Sequence, residues 1–120
     1  MEVGILKQLK NKQGTLIRKE TRWNNGNKYE YSLFVKKSPR VASFGLNLYS
    51  IIVSVQSPNG EGYEEKINEG FSNFAHAGNF FESLVTSLAS PSELPYMYDK
   101  ALNENRFDGC SYSLTKYLDF

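Results

Sequence analysis

The chain of 120 residues has 40% hydrophobic and 22% charged residues, with eight Tyr and eight Phe, the balance of one folded domain that buries its own core without disulfides or a structural metal. That composition argues against a disordered chain, and no apolar run reaches the roughly 20 residues that a membrane-spanning helix needs. Net charge is +1, but residues 1–40 hold ten Lys or Arg against three Glu, giving +7, while residues 41–120 hold four against ten acids, giving −6.

In chain order, the opening MEVGILKQLK lacks the basic region and long apolar stretch of a secretory signal. A cytoplasmic location with no membrane contact is expected, and the lone Cys110 agrees, because one thiol cannot staple a secreted domain. GILKQLK suits a helical turn or a strand, and strand is the favoured reading. From Thr15 to Lys37 two strands are expected around Asn25-Gly26, the strongest short hairpin signal. Tyr29, Tyr31, Leu33 and Val35 share one face of the second strand, with Phe34 the apolar exception on the other. On the first strand Arg18, Glu20 and Arg22 oppose Ile17, Lys19, Thr21 and Trp23, a polarity that suits an exposed or edge strand.

FGLNLYSIIVSVQ, Phe44 to Gln56, predicts the longest strand. Its apolar phase changes from Phe44, Leu46 and Leu48 to Tyr49, Ile51, Val53 and Val55, which calls for a bulge near Ser50 or for cover on both faces of a central strand. SPNGEG is a turn, and YEEKI, Tyr63 to Ile67, alternates as a short final strand. The period then becomes helical. Phe74, Ala77, Gly78, Phe81, Leu84, Val85 and Leu88 form one stripe, so residues 72–89 predict an amphipathic helix capped by Ser72 or Asn68. Gly78 would let that helix approach the sheet closely, Phe71 would pack back on its first turn, and His76 and Phe80 lie off the stripe. SPSELP starts a second helix, capped by Ser92, that runs to about Asn103. FDG is a turn, and the tail from Cys110 adds an edge strand or lies against the body. The expected fold is α+β in a single domain: an antiparallel sheet of about four strands over residues 1–68, two helices on one face over 69–105, and a tail from 106.

A Tyr-rich strand such as YEYSLFV, a strand opened by Phe44-Gly45-Leu46, a capping Ser72 and a Pro-containing link to a helix around Tyr98-Asp99 together resemble a family of short clostridial proteins known only as a domain of unknown function. The resemblance spans roughly Tyr29 to Leu102. The aromatic content of the first helix and the tail after Asn105 depart from that family's pattern. The resemblance implies a Gram-positive bacterial source and an α+β fold, and it implies no chemistry.

No residue pattern marks an enzyme, and no catalytic, cofactor-binding or metal-binding residue is assigned. His76 and Cys110 are the only imidazole and thiol, and DGCSYS carries no sign of an activated nucleophile. Neither residue has a partner at zinc spacing, and Glu61, Glu64, Glu65 and Glu69 lack the ordered ligand positions of a calcium loop. The positive signal is the basic hairpin. Arg18, Lys19, Arg22 and Lys28 surround Trp23 and Tyr29, with Lys36, Lys37 and Arg40 at the far end, a set that fits an anionic ligand or an acidic partner. The alternative is a solvated edge with Trp23 capping the core. A second candidate surface, for protein contact, comprises His76, Phe80, Tyr96, Met97 and Tyr98, set against plain core packing. The expectation is a non-enzymatic bacterial binding protein, a regulator or inhibitor with a macromolecular protein partner. A mobile-element inhibitor of a host nuclease, or a binder of nucleic acid or a nucleotide through the hairpin, is the alternative. A homodimer would follow if the basic hairpin of one copy met the acidic helical half of another.

Overall fold

The computed structural model of the chain describes residues 10–11, 13–38 and 45–104. Its strands run in chain order across one antiparallel sheet: β1 (Lys10–Asn11), β2 (Gly14–Asn24), β3 (Asn27–Lys37), β4 (Asn47–Gln56) and β5 (Gly62–Phe71). Helix α1 (Phe74–Ser87), a 3-10 turn (Pro91–Glu93) and helix α2 (Leu94–Asn103) follow. This is the expected α+β arrangement. The four anticipated strands are β2 to β5, and β1 adds a two-residue pairing to the start of β2.

Asn25 and Gly26 take φ of 53° and 82°, the two positive values of a tight turn whose twist matches that of the strands it joins. Directly paired residues share a face, so the register sorts the side chains into rows. Toward the helices lie Arg22, Tyr29, Val55 and Tyr63, then Glu20, Tyr31, Val53 and Glu65, then Arg18, Leu33, Ile51 and Ile67. Away from them lie Trp23, Lys28, Gln56 and Gly62, then Thr21, Glu30, Ser54 and Glu64. Within the helix-facing rows the apolar residues cluster in the central strands. Tyr31, Leu33, Ile51, Val53 and Ile67 are buried against α1 and α2. A bulge at Leu16 and Arg18 in β2 leaves Ile17 outside the alternation and exposed.

The change of phase near Ser50 has a definite origin. β4 itself pairs without interruption along β3, and Leu48 and Tyr49 are buried on its two opposite faces, so the strand is covered on both sides there. The bulge lies across from Ser50, in β5. Tyr49 pairs with Phe71 and Ile51 with Ile67, which leaves two more residues on the β5 side than on the β4 side. Glu69 takes the left-handed conformation at φ 54°, and its N–H donates to Ser50 Oγ at 2.8 Å. A side chain on Gly70 would strike Ile67 and sit 3.0 Å from the Tyr98 hydroxyl. These irregular residues break the alternation after Ile67, and so β5 runs on to Phe71, four residues past its legible end.

Helix α1 is capped by Asn73, whose Oδ1 accepts the His76 backbone N–H at 3.0 Å. It ends at Leu88, with φ 55°, where the N–H groups of Leu88 and Ala89 reach Val85 O and Leu84 O at 3.1 and 3.0 Å. Its buried arc is turned from the expected stripe. Ala77, Phe80, Phe81, Leu84 and Val85 are buried, whereas Phe74 is 61% exposed and a side chain on Gly78 would meet nothing within 4 Å. Gly78 therefore serves no close approach to the sheet. The reason for the turn is a second wall: the Phe80 ring lies 5.5 Å from Phe71, a core residue of β5, and 6.0 Å from Tyr98 of α2. Helix α2 follows the 3-10 turn, at whose start the Ser90 N–H, rather than Ser92, is bound by the Glu93 carboxylate at 2.7 Å.

Candidate functional site

Two tight turns stand side by side at one end of the sheet, because the register sets Trp23, Lys28, Gln56 and Gly62 in one row across β2 to β5. The first turn is Asn25-Gly26. The second, between β4 and β5, is tied by the Ser57 N–H to Glu61 O at 2.7 Å and the Gly60 N–H to Ser57 O at 2.9 Å. Asn59 Oδ1 accepts the Glu61 N–H at 3.1 Å, the local side-chain bond that makes Asn a turn residue. The turns touch: a side chain on Gly26 would come within 3.2 Å of Pro58. Trp23 is 68% exposed and Tyr63 57% exposed at this end, on opposite faces of the sheet. Tyr29, Val55 and Tyr63 line a cleft of about 350 Å³ on the helix side, closed by Ser57, Glu61 and Ser90. Lys28, Glu30, Ser54, Gln56 and Glu64 line a second depression on the open side.

The basic hairpin is not one patch. Arg18 and Arg22 face the helices, whereas Lys19, Trp23, Lys28 and Lys36 face away. Five of its cations, Arg18, Lys19, Arg22, Lys28 and Lys36, also meet a carboxylate. Arg18 reaches Glu82 of α1 at 2.7 Å and Glu20 at 3.3 Å, with its guanidinium 4.9 Å from the Phe81 ring centroid. Arg22 reaches Glu20 at 3.2 Å, Lys19 and Lys28 share Glu30 at 3.5 and 3.4 Å, and Lys36 binds Glu69 at 2.9 Å. The hydrogen bond to Glu82 raises the Arg18 pKa still further. The Glu20 carboxyl is held below its ordinary range, first by the bond from Arg22 and then by that from Arg18. Lys37 donates to Gly45 O at 3.3 Å, and Arg40 lies outside the described residues.

No family model, curated protein or solved structure matches the chain. Within one copy the basic hairpin already meets the acidic half, through Arg18 and Glu82. Among the described residues no group of three or more His, Cys, Asp or Glu could hold a metal ion, and no helix is long and apolar enough to cross a membrane. Cys110, the thiol weighed with His76, lies outside the described residues.

The second candidate surface does not form as a unit. Phe80 and Tyr98 are core residues, 6% and 0% exposed, and cannot meet a partner from where they stand. Tyr98 spends its hydroxyl on Gly70 O at 2.5 Å. Met97 is half-buried against the core and His76 is half-buried in α1, which leaves Tyr96, 68% exposed, as the open member of the set. Of the two readings of this set, core packing holds for Phe80 and Tyr98, because their rings and that of Phe71 form one cluster that a single-helix projection cannot show. Conversely, Tyr63 and the neighbouring Glu61, Glu64 and Glu65 were not among the expected binding residues. The acidic run EGYEE was legible, but only the register shows that it flanks the end that carries Trp23.

Proposed function

We propose that this protein is a non-enzymatic bacterial binding module, a small regulator or inhibitor that acts by contact with a protein partner, and that the double-turn end of the sheet is its contact surface. The observation that carries the reading is the pair of exposed aromatics, Trp23 and Tyr63, mounted on paired strand ends beside the clefts rather than on a loose loop. Exposed Trp and Tyr on a rigid support are the residues that most often dominate protein interfaces. The Gram-positive source and the cytoplasmic location belong to the same proposal; they rest on the clostridial resemblance and on the single Cys110. Nucleic acid is the weaker reading, because Arg18, Lys19, Arg22 and Lys28 each have a carboxylate within 3.5 Å that a phosphate would have to displace.

The test is affinity capture from the native lysate with the wild-type chain and a Trp23→Ala/Tyr63→Ala variant as bait. Both side chains are exposed, so the variant keeps its fold, and a specific partner should be retained by the first and lost by the second. A partner retained equally by both would sink this surface as the site.

A further inference from the structure

Beyond the aromatics, the same end of the molecule presents a strand edge. Among the described residues β5 pairs with β4 alone, and Gly62 to Lys66 are all exposed. Half of the backbone N–H and C=O groups of an edge strand point outward without a strand partner. Such an edge can accept a further strand, with backbone bonds supplying affinity and side chains choosing the sequence. The five residues span roughly 17 Å, the length of an ordinary short strand.

With Glu61 just before it, this stretch carries three carboxylates against one cation, Lys66. Glu61, Glu64 and Glu65 have no ion-pair partner among the described residues, in contrast to Glu20, Glu30, Glu69 and Glu82, each of which is bound to a Lys or Arg. Glu64 pairs across with Ser54 and projects on the open face, while Glu65 pairs with Val53 and projects on the helix face. Consecutive residues of an added strand would lie beside them, one on each face. We propose that β5 accepts, by strand addition at Gly62–Lys66, an extended segment of a protein partner that bears Lys or Arg at two neighbouring positions. This deepens the reading above, since Tyr63 belongs to the same edge.

Two other occupants fit less well. A second β5 paired antiparallel about Glu64 or Glu65 would set that glutamate opposite its own copy, which destabilises pairing. The β2 edge of a second copy is basic, but its cations are already bound to Glu20, Glu30 and Glu82 of their own chain. The charges that deter those pairings leave an oppositely charged strand as the preferred addition.

The experiment is titration of the full ¹⁵N-labelled chain with two capped peptides, TVTKKTVT and TVTEETVT, at low salt. The basic peptide should shift the amides of Gly62–Lys66 and slow their hydrogen exchange. Raising the salt several-fold should weaken its binding several-fold, and Glu64→Lys/Glu65→Lys should weaken it at least ten-fold without changing the circular dichroism spectrum. The acidic peptide should leave these amides unmoved. Equal response to both peptides, or no response of the β5 amides to the basic one, overturns strand addition. If the peptides fail while Trp23→Ala/Tyr63→Ala still abolishes partner capture, the edge is not used and the aromatic contact surface stands.

Discussion

Tyr31 joins the two layers of the molecule through one side chain. It is fully buried on β3, and its hydroxyl donates to Ala89 O at 2.9 Å, just beyond the end of α1. Burial pushes the hydroxyl pKa up to about 12, because an ionised phenolate in the core would lose its hydration. In the unfolded chain the same group ionises near 10, so above that pH the unfolded state binds fewer protons than the folded one. The stability contributed by the neutral hydroxyl is full below pH about 10. Between about 10 and 12 it declines by up to about 1.4 kcal/mol per pH unit. Urea denaturation across this range should show wild-type stability falling more steeply than that of Tyr31→Phe. At pH 7 the variant should be less stable by about 1–3 kcal/mol, since the buried Ala89 carbonyl loses its donor. Parallel pH profiles for the two chains would show that Tyr31 ionises as freely folded as unfolded.

At the scale of elements, what could be read from the sequence divides according to whether a signal is local. The β2–β3 hairpin was legible because Asn25-Gly26 fixes its turn and Tyr29, Tyr31, Leu33 and Val35 keep a period of two, broken on the other face by Phe34 alone. Gly26→Ala tests that fixation. A side chain at φ 82° is strained and would crowd Pro58 at 3.2 Å, so a loss of about 1–2 kcal/mol is expected by thermal or urea unfolding. An unchanged midpoint would mean that the turn does not set the register. β5 was legible only in part, since its bulge at Asn68 to Gly70 is held by Ser50 of another strand and by Tyr98 of a helix. The place of Phe80 in the buried arc of α1 is hidden from the helix's own period for the same reason: Phe71 of β5 and Tyr98 of the second helix cover it, and neither is a neighbour along α1. The ion pairs of the hairpin fall between these cases. Glu20 and Glu30 are visible beside the basic residues, whereas the Glu82 that binds Arg18 stands 64 positions away.

Over the whole molecule, the sequence splits into +7 for the first 40 residues and −6 for the last 80, and among the described residues the two segments meet rather than stand apart as opposed poles. Folding brings Glu82 onto Arg18 and Glu69 onto Lys36, so opposite charges from the two segments are partly joined within the chain. Exposed pairs of this kind add little stability, typically below about 1 kcal/mol each, yet they reduce the charge left to attract a polyanion. A labelled single-stranded oligonucleotide at 50 mM salt should therefore show no saturable rise in anisotropy with added protein. Saturable, salt-steep binding that is lost in Arg18→Glu/Arg22→Glu would return the hairpin to nucleic-acid recognition.

The unbroken strand order from β1 to β5 governs how the molecule comes into being as well as how it is held. Every strand pairs with its neighbour in the chain, so loop closures are short and the β2–β3 hairpin can form on the microsecond scale, before distant contacts are made. During synthesis β1 to β5 have all been made once Phe71 is added, while Phe80, Phe81, Leu84 and Tyr98 have yet to be translated. For that interval the apolar face formed by Tyr31, Leu33, Ile51 and Val53 has no helix over it. The nascent chain thus passes through a stage at which its future core is a surface, and the two helices close it.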